Sequence, residues 1–240
     1  APHHTSSTAA IVGGGTGVPR PGAASLAHRG VLFLDEALEF RLGALDSLRE
    51  PLENGRVVIN RSGGSAVFPA AFQLILAANP CPCGFLGVVG KNCRCTPVSI
   101  RRYCARLSGP VFDRIDIRLP VRPVGLSAGA GIAAPSMSSA QALIKVTEAR
   151  GAAAERFKKF GFRLNAQVPG QLLRRNFKLG GNANRELDLL LRGGRSSMRG
   201  YDRCLRLAWT LADLDGATLP NLSHVQRAVS LRGADDLVAT

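Results

Sequence analysis

Two short apolar runs do most to limit what this chain can fold into: VLFL at 31–34 and QLILAA at 73–78. Each is too short for a typical helix, and each stops abruptly, at Asp35-Glu36 in the first case and Asn79-Pro80 in the second. A brief, wholly apolar run bounded by turn residues reads as a strand buried on both faces of a parallel sheet. Leu38, Leu42, Leu45, Leu48 and Leu52 recur at helical spacing and predict one amphipathic helix. Asn54-Gly55 then turns the chain into Val57–Ile59, and Gly63-Gly64 turns it again into Ala66–Phe68, a predicted hairpin. A short helix is expected at about 23–28, stopped by Gly30, and Thr96-Pro97 offers a hydroxyl cap and a first-turn proline for another. Ile115–Val121 alternates and predicts a third strand. The opening 22 residues, crowded with Gly, Pro, Ser and Thr, read as loop.

The fold class expected for the first half is therefore α/β with a parallel sheet. Residues 123–139 are rich in Pro, Gly, Ala and Ser and predict a linker. Helical periodicity follows at roughly 139–160, 168–177, 183–192, 197–214 and 222–232. The expected organisation is a core at 1–122, the linker, and an all-helical domain at 140–240. At 45% hydrophobic and 20% charged, the composition is that of a globular protein. No apolar run approaches the roughly 20 residues of a membrane span, and the N-terminus is not a signal peptide. A cytoplasmic location and no membrane partner are expected.

Charge adds a partner class. There are 31 Lys+Arg against 17 Asp+Glu, a formal net charge of +14. Such a surface gains affinity for DNA by releasing phosphate counterions. An Arg-, Ala- and Gly-rich composition can equally follow from a biased genome.

The ends of the apolar runs carry the candidate chemistry. In open α/β sheets, ligands bind at the carboxyl ends of the strands. Asp35 there can hold Mg²⁺ and Glu36 can polarise a water, the pattern of a Walker B motif; a strand merely reaching solvent reads the same way. Asn79 can hydrogen-bond a γ-phosphate or orient water, or can simply open an Asn-Pro turn. Arg114, in GPVFDRIDI, can reach a neighbouring subunit's phosphate or pair locally with Asp113 or Asp116. Four of the six cysteines fall together as Cys81-x-Cys83 and Cys93-x-Cys95. Four thiols this close can wrap one tetrahedral Zn²⁺, with buried or redox-labile thiols as the alternative. No His lies near enough in sequence to make the site catalytic. Cys104 and Cys204 read as small apolar fillers. His3-His4 reads as a polar or DNA-facing pair. Arg101-Arg102 and Arg174-Arg175 are candidate phosphate contacts, or else solvated helix faces.

HRGVLFLDE, LREPLENGRVVI, FPAAFQLILAANPCPCG, SGPVFDRIDI, LNAQVPGQLLRR and SMRGYDRCLRLAWTLADLDG occur in that order. Together they resemble the magnesium-chelatase-like AAA+ ATPases of the bacterial competence protein ComM type, from about Pro2 to the C-terminus. The resemblance implies a partial AAA+ core followed by a helical lid, ATP and Mg²⁺ as cofactors, and a hexameric motor on DNA that drives branch migration in uptake and recombination. It implies Asp35 and Glu36 as Walker B and Asn79 as sensor 1. Arg114 becomes an arginine finger acting in trans, and Arg199 becomes sensor 2, reaching the nucleotide from the helical domain. The Val57–Phe68 hairpin corresponds to an insertion that lines the pore of related hexamers.

One departure stands out. A P-loop needs G-x-x-x-x-G-K-[ST], whose amides and lysine cradle phosphates. The only glycine cluster, GGGTGVPRPG at Gly13–Gly22, has no Lys, and its prolines remove donors. The expectation is a chain that begins downstream of the P-loop and does not hydrolyse ATP by itself. A non-catalytic remnant, acting as a basic DNA-binding or assembly module, is the competing expectation. A true chelatase motor subunit is a third, against which the CPCG cluster argues.

Overall fold

The computed structural model describes residues 1–15, 17–61, 64–88, 90–121, 137–193 and 197–233. Nearly all of the linker expected at 123–139 lies outside them, as does Gly63. The rest falls into two compact units, within Ala1–Ile115 and within Asp116–Ala234.

The first unit opens with a helix the sequence reading placed in loop, α1 (Thr8–Val12), capped by Ser7, whose hydroxyl accepts from the Ala10 amide. Two residue pairs, β1 (Gly13–Gly14) and β2 (Arg20–Pro21), then run antiparallel. Gly22 lies so close to Ile11 that any side chain there would meet its carbonyl oxygen at 2.6 Å. After α2 (Ala23–Leu26), β3 (Val31–Leu34) pairs in parallel with β6 (Gln73–Leu76), Leu34 opposite Leu76.

The connection between them differs from the single helix expected. Leu38 falls on a 3-10 turn at Ala37–Glu39, Leu42 and Leu45 on α3 (Leu42–Asp46), Leu52 on α4 (Arg49–Asn54), and Leu48 in the turn between those two helices. Extended backbone at Phe40 and Arg41 interrupts the first join, and α4 carries Pro51, which has no amide for a continuing helix. Phe40, Leu45 and Leu48 still reach the core, but Leu42 is exposed. Gly55, at φ +66°, then reverses the chain into β4 (Arg56–Arg61), paired with β5 (Gly64–Pro69) as the hairpin reading predicts.

Two strand expectations are corrected. Leu32 and Leu34 are buried, but Val31 and Phe33 are exposed, so β3 packs on one face rather than two. The core formed by Ile11, Ala24, Phe40, Leu45, Leu48 and Val57 covers only that face. Residues 115–121 form no strand. The Arg118 amide donates instead to the Leu231 carbonyl at 2.7 Å, and Arg203 pairs with Asp116, so the segment docks on helices. After β6 come α5 (Pro97–Cys104), with Thr96 accepting from the Ser99 amide as expected, and α6 (Gly109–Phe112).

The second unit is helical: α7 (Ser139–Phe157), α8 (Gly170–Asn176), α9 (Gly181–Arg192), α10 (Met198–Leu214) and α11 (Leu222–Arg232). Ten of the 17 residues of α10 are buried, which makes it the central helix. Around it pack Phe157, Val168, Leu173, Leu187 and Val225, with Phe177 edge-on to Trp209. Asp213 is buried and paired with Arg156, whose guanidinium lies 4.1 Å from the Trp209 ring centre. Asn165 donates to Asp213 at 2.9 Å, leaving the buried carboxylate amply partnered. Among the described residues no helix is long and apolar enough to cross a membrane.

Candidate functional site

The Leu34–Leu76 register brings the carboxyl ends of β3 and β6 side by side. The ladder continues past the strands: the Ala77 amide donates to Leu34 and the Ala37 amide to Ala77. Asp35, Glu36, Ala78 and Asn79 therefore leave the same end of the parallel pair, and Asp35, Glu36 and Asn79 are all exposed. Asp35 turns one carboxylate oxygen back to accept the Glu36 amide at 2.9 Å.

Glu36 adopts a left-handed backbone, φ 50° and ψ 43°, one of two such non-glycine residues described. This conformation costs a side-chain-bearing residue roughly 1–2 kcal/mol, and such strain collects at functional sites. It aims the Glu36 carboxylate at His4, whose Nδ1 lies 2.6 Å from Oε2. Sequence reading missed this contact, because 32 positions separate the residues and no local spacing signals the pair.

Arg114 follows α6 rather than preceding a strand. It donates to the Pro110 carbonyl at 2.7 Å and pairs with Glu53, and its side chain is only 8% exposed. It lines a recess with Val12, Asp46, Glu50 and Val57. In this state the guanidinium is folded onto its own unit. Arg199 lies in the second unit, exposed in the first turn of α10 beyond the Ser197 cap. Of the other basic pairs, Arg174 is tied to Asp202, whereas Arg101, Arg102 and Arg175 are exposed.

The four clustered cysteines converge. Cys81 Sγ lies 3.4 Å from Cys83 and 3.7 Å from Cys93, and Cys83 lies 3.6 Å from Cys93. With Cys95, all four sulfurs fall within 4.8 Å of one another, an arrangement able to hold a metal ion. A backbone hydrogen bond from Phe85 brings the Cys83 thiol down to about 6. The Cys95 backbone draws Cys93 the same way, but burial and the neighbouring sulfurs outweigh it and push that thiol up to about 12. Cys104 donates to the Pro80 carbonyl at 3.9 Å, and Cys204 is in the helical core.

Comparison with known proteins defines the class. The family described as magnesium chelatase, subunit ChlI matches residues 1–128, and the C-terminal part of the same subunit matches residues 136–232. The chain belongs to this magnesium-chelatase family. It is 51% identical over 232 residues to the uncharacterized protein Rv2897c of Mycobacterium tuberculosis, covering 97% of this chain and 45% of that protein. It is 41% identical to the Escherichia coli protein YifB over 239 residues, covering 99% and 46% respectively. The competence protein ComM of Haemophilus influenzae is 41% identical over 234 residues, covering 97% and 44%. The chain thus spans a little under half the length of the curated relatives it matches.

Proposed function

We propose that these residues belong to an AAA+ ATPase that hydrolyses ATP to drive movement on DNA, working as a hexamer in the cytoplasm. The observation that carries this reading is the juxtaposition of Asp35-Glu36 and Asn79 at the carboxyl ends of adjacent parallel strands, where open α/β sheets bind ligands. The competence-protein relative supports the DNA assignment, and the net charge of +14 suits a polyanionic partner. The organisation we propose is a core at 1–122, a linker at 123–139 and a helical lid at 140–240.

Asp35 offers the hard oxygen donor that Mg²⁺ takes. When bound, the metal would neutralise charge developing on the transferred phosphate. Glu36 would accept a proton from the attacking water, and Asn79 would orient that water through its amide. In the present arrangement His4 engages Glu36, so activation requires Glu36 to exchange His4 for water. Arg114 must likewise leave Glu53 to act on a neighbouring subunit's nucleotide, and Arg199 would serve from the helical lid.

No G-x-x-x-x-G-K-[ST] occurs in the 240 residues. This favours the second reading, a non-catalytic basic module, for the chain taken by itself. The test compares the isolated chain with the complete natural gene product, whose intact mass is measured first. The complete product should hydrolyse ATP, faster with DNA, and Glu36→Gln should slow turnover by about 10²-fold or more while nucleotide still binds. The isolated chain should show no hydrolysis. DNA binding by the complete product with no ATP turnover would establish the second reading instead.

A further inference from the structure

Residues 80–95 pose a physical problem. Among those described there is no helix or strand, and only Cys81 is buried. None of them belongs to the apolar core of the first unit. Loops longer than about 12–15 residues without structure of their own are uncommon in compact domains. This one is nevertheless shaped by specific turns. Gly84 donates its amide to Cys81, Val88 to Phe85 and Lys91 to Val88, and Gly84, Gly87 and Gly90 all take positive φ near +76°. Something other than apolar burial must offset the entropy of ordering it.

We propose that Cys81, Cys83, Cys93 and Cys95 hold a single structural Zn²⁺ that closes this loop over Asn79. Four thiolates around Zn²⁺, at bonds of about 2.3 Å, stand about 3.8 Å apart in a regular tetrahedron. The separations of 3.4, 3.7 and 3.6 Å match that spacing. They are far longer than the roughly 2.05 Å of a disulfide. An iron–sulfur cluster sets several iron and sulfide ions between its thiolates and spreads them farther apart. Four protein ligands leave no open position for a water, so the site is structural and not catalytic.

The position of the loop gives the site its consequence. Cys81 follows Asn79 by two residues, and the chain returns so that a side chain at Gly84 would stand 3.8 Å from the Asn79 carboxamide. The other pair of thiols ends one residue before Thr96, the cap of α5. One ion therefore ties the end of β6 to the start of α5 and fixes the backbone that follows Asn79. The proposal concerns the metal alone and stands or falls independently of any ATPase activity.

The test is metal analysis of the purified chain, prepared without a metal-affinity resin and dialysed against metal-free buffer. One equivalent of zinc per chain is expected. Zinc-depleted protein reloaded with Co²⁺ should show the intense visible absorption and sulfur-to-metal charge-transfer bands of a tetrahedral thiolate site. Cys83→Ser and Cys93→Ser should lose the metal, whereas Cys104→Ser, a nearby thiol outside the cluster, should keep it. A serine variant can fail to fold, so the cobalt spectrum of the unsubstituted chain decides on its own. Sub-stoichiometric zinc, stoichiometric iron, a weak octahedral cobalt spectrum or a disulfide within the cluster would each overturn the proposal.

Discussion

The two units solve the same problem differently. The helical unit closes its core around one central helix, α10, and even its buried carboxylate, Asp213, is matched by Arg156 and Asn165. The other unit builds on a two-stranded parallel pair and leaves one face of it open, with Val31, Phe33 and Ile75 exposed while Leu32 and Leu34 are buried. The unit with the more self-contained core is the one whose structure serves packing. The unit with the open face carries Asp35, Glu36, Asn79 and the thiol cluster. Ligand-binding residues tend to sit where packing does not consume every polar group.

The contrast is sharpest between neighbours on β3. Leu34→Ala should cost about 2–5 kcal/mol, because it empties a fully enclosed position. Phe33→Ala removes more atoms, yet should cost about 1 kcal/mol or less, because Phe33 faces the open side. Urea unfolding of both variants checks this, and equal losses would break the comparison.

In the helical unit the tight point is Gly170. A side chain there would collide with the Asp202 carboxylate, which itself pairs with Arg174. Gly170→Ala should destabilise that unit by about 1–3 kcal/mol, read from its thermal unfolding by circular dichroism. A neutral result would mean the α8–α10 contact is looser than it stands.

The smallest effect lies at a surface turn. The Arg227 guanidinium donates to Asp215 and holds its carboxyl below the usual carboxylate range, and His224 adds to this. Because the folded value is lowered, the stabilisation is present above the ordinary carboxylate range and is lost as pH falls through the folded value. Asp215→Asn should therefore lower Tm slightly at neutral pH, with the gap to the parent closing in acid.

Much of this was legible in the sequence. The helices of the second half, the Thr96 cap and the Val57–Phe68 hairpin depend on spacings of a few residues, and the chain's own pattern reports them. The thiol cluster was legible for the same reason. The leucine series from 38 to 52 misled, because helical spacing survives in separate short turns once Phe40 and Arg41 are extended. Residues 115–121 alternate like a strand but pair with no strand among the described residues, and alternation cannot supply the missing partner. His4–Glu36 and Arg114–Glu53 join residues 32 and 61 positions apart, contacts that only the folded chain creates. The sequence could therefore name candidate residues but not their engagements.

The parallel pairing of β3 with β6 also bears on how the chain folds. Those strands meet only after a loop of about forty residues has closed, and the entropy of closure must be met before any ladder bond forms. Until that loop closes, the first unit lacks its parallel pair. During that interval its apolar strands are the segments most in need of protection from other chains.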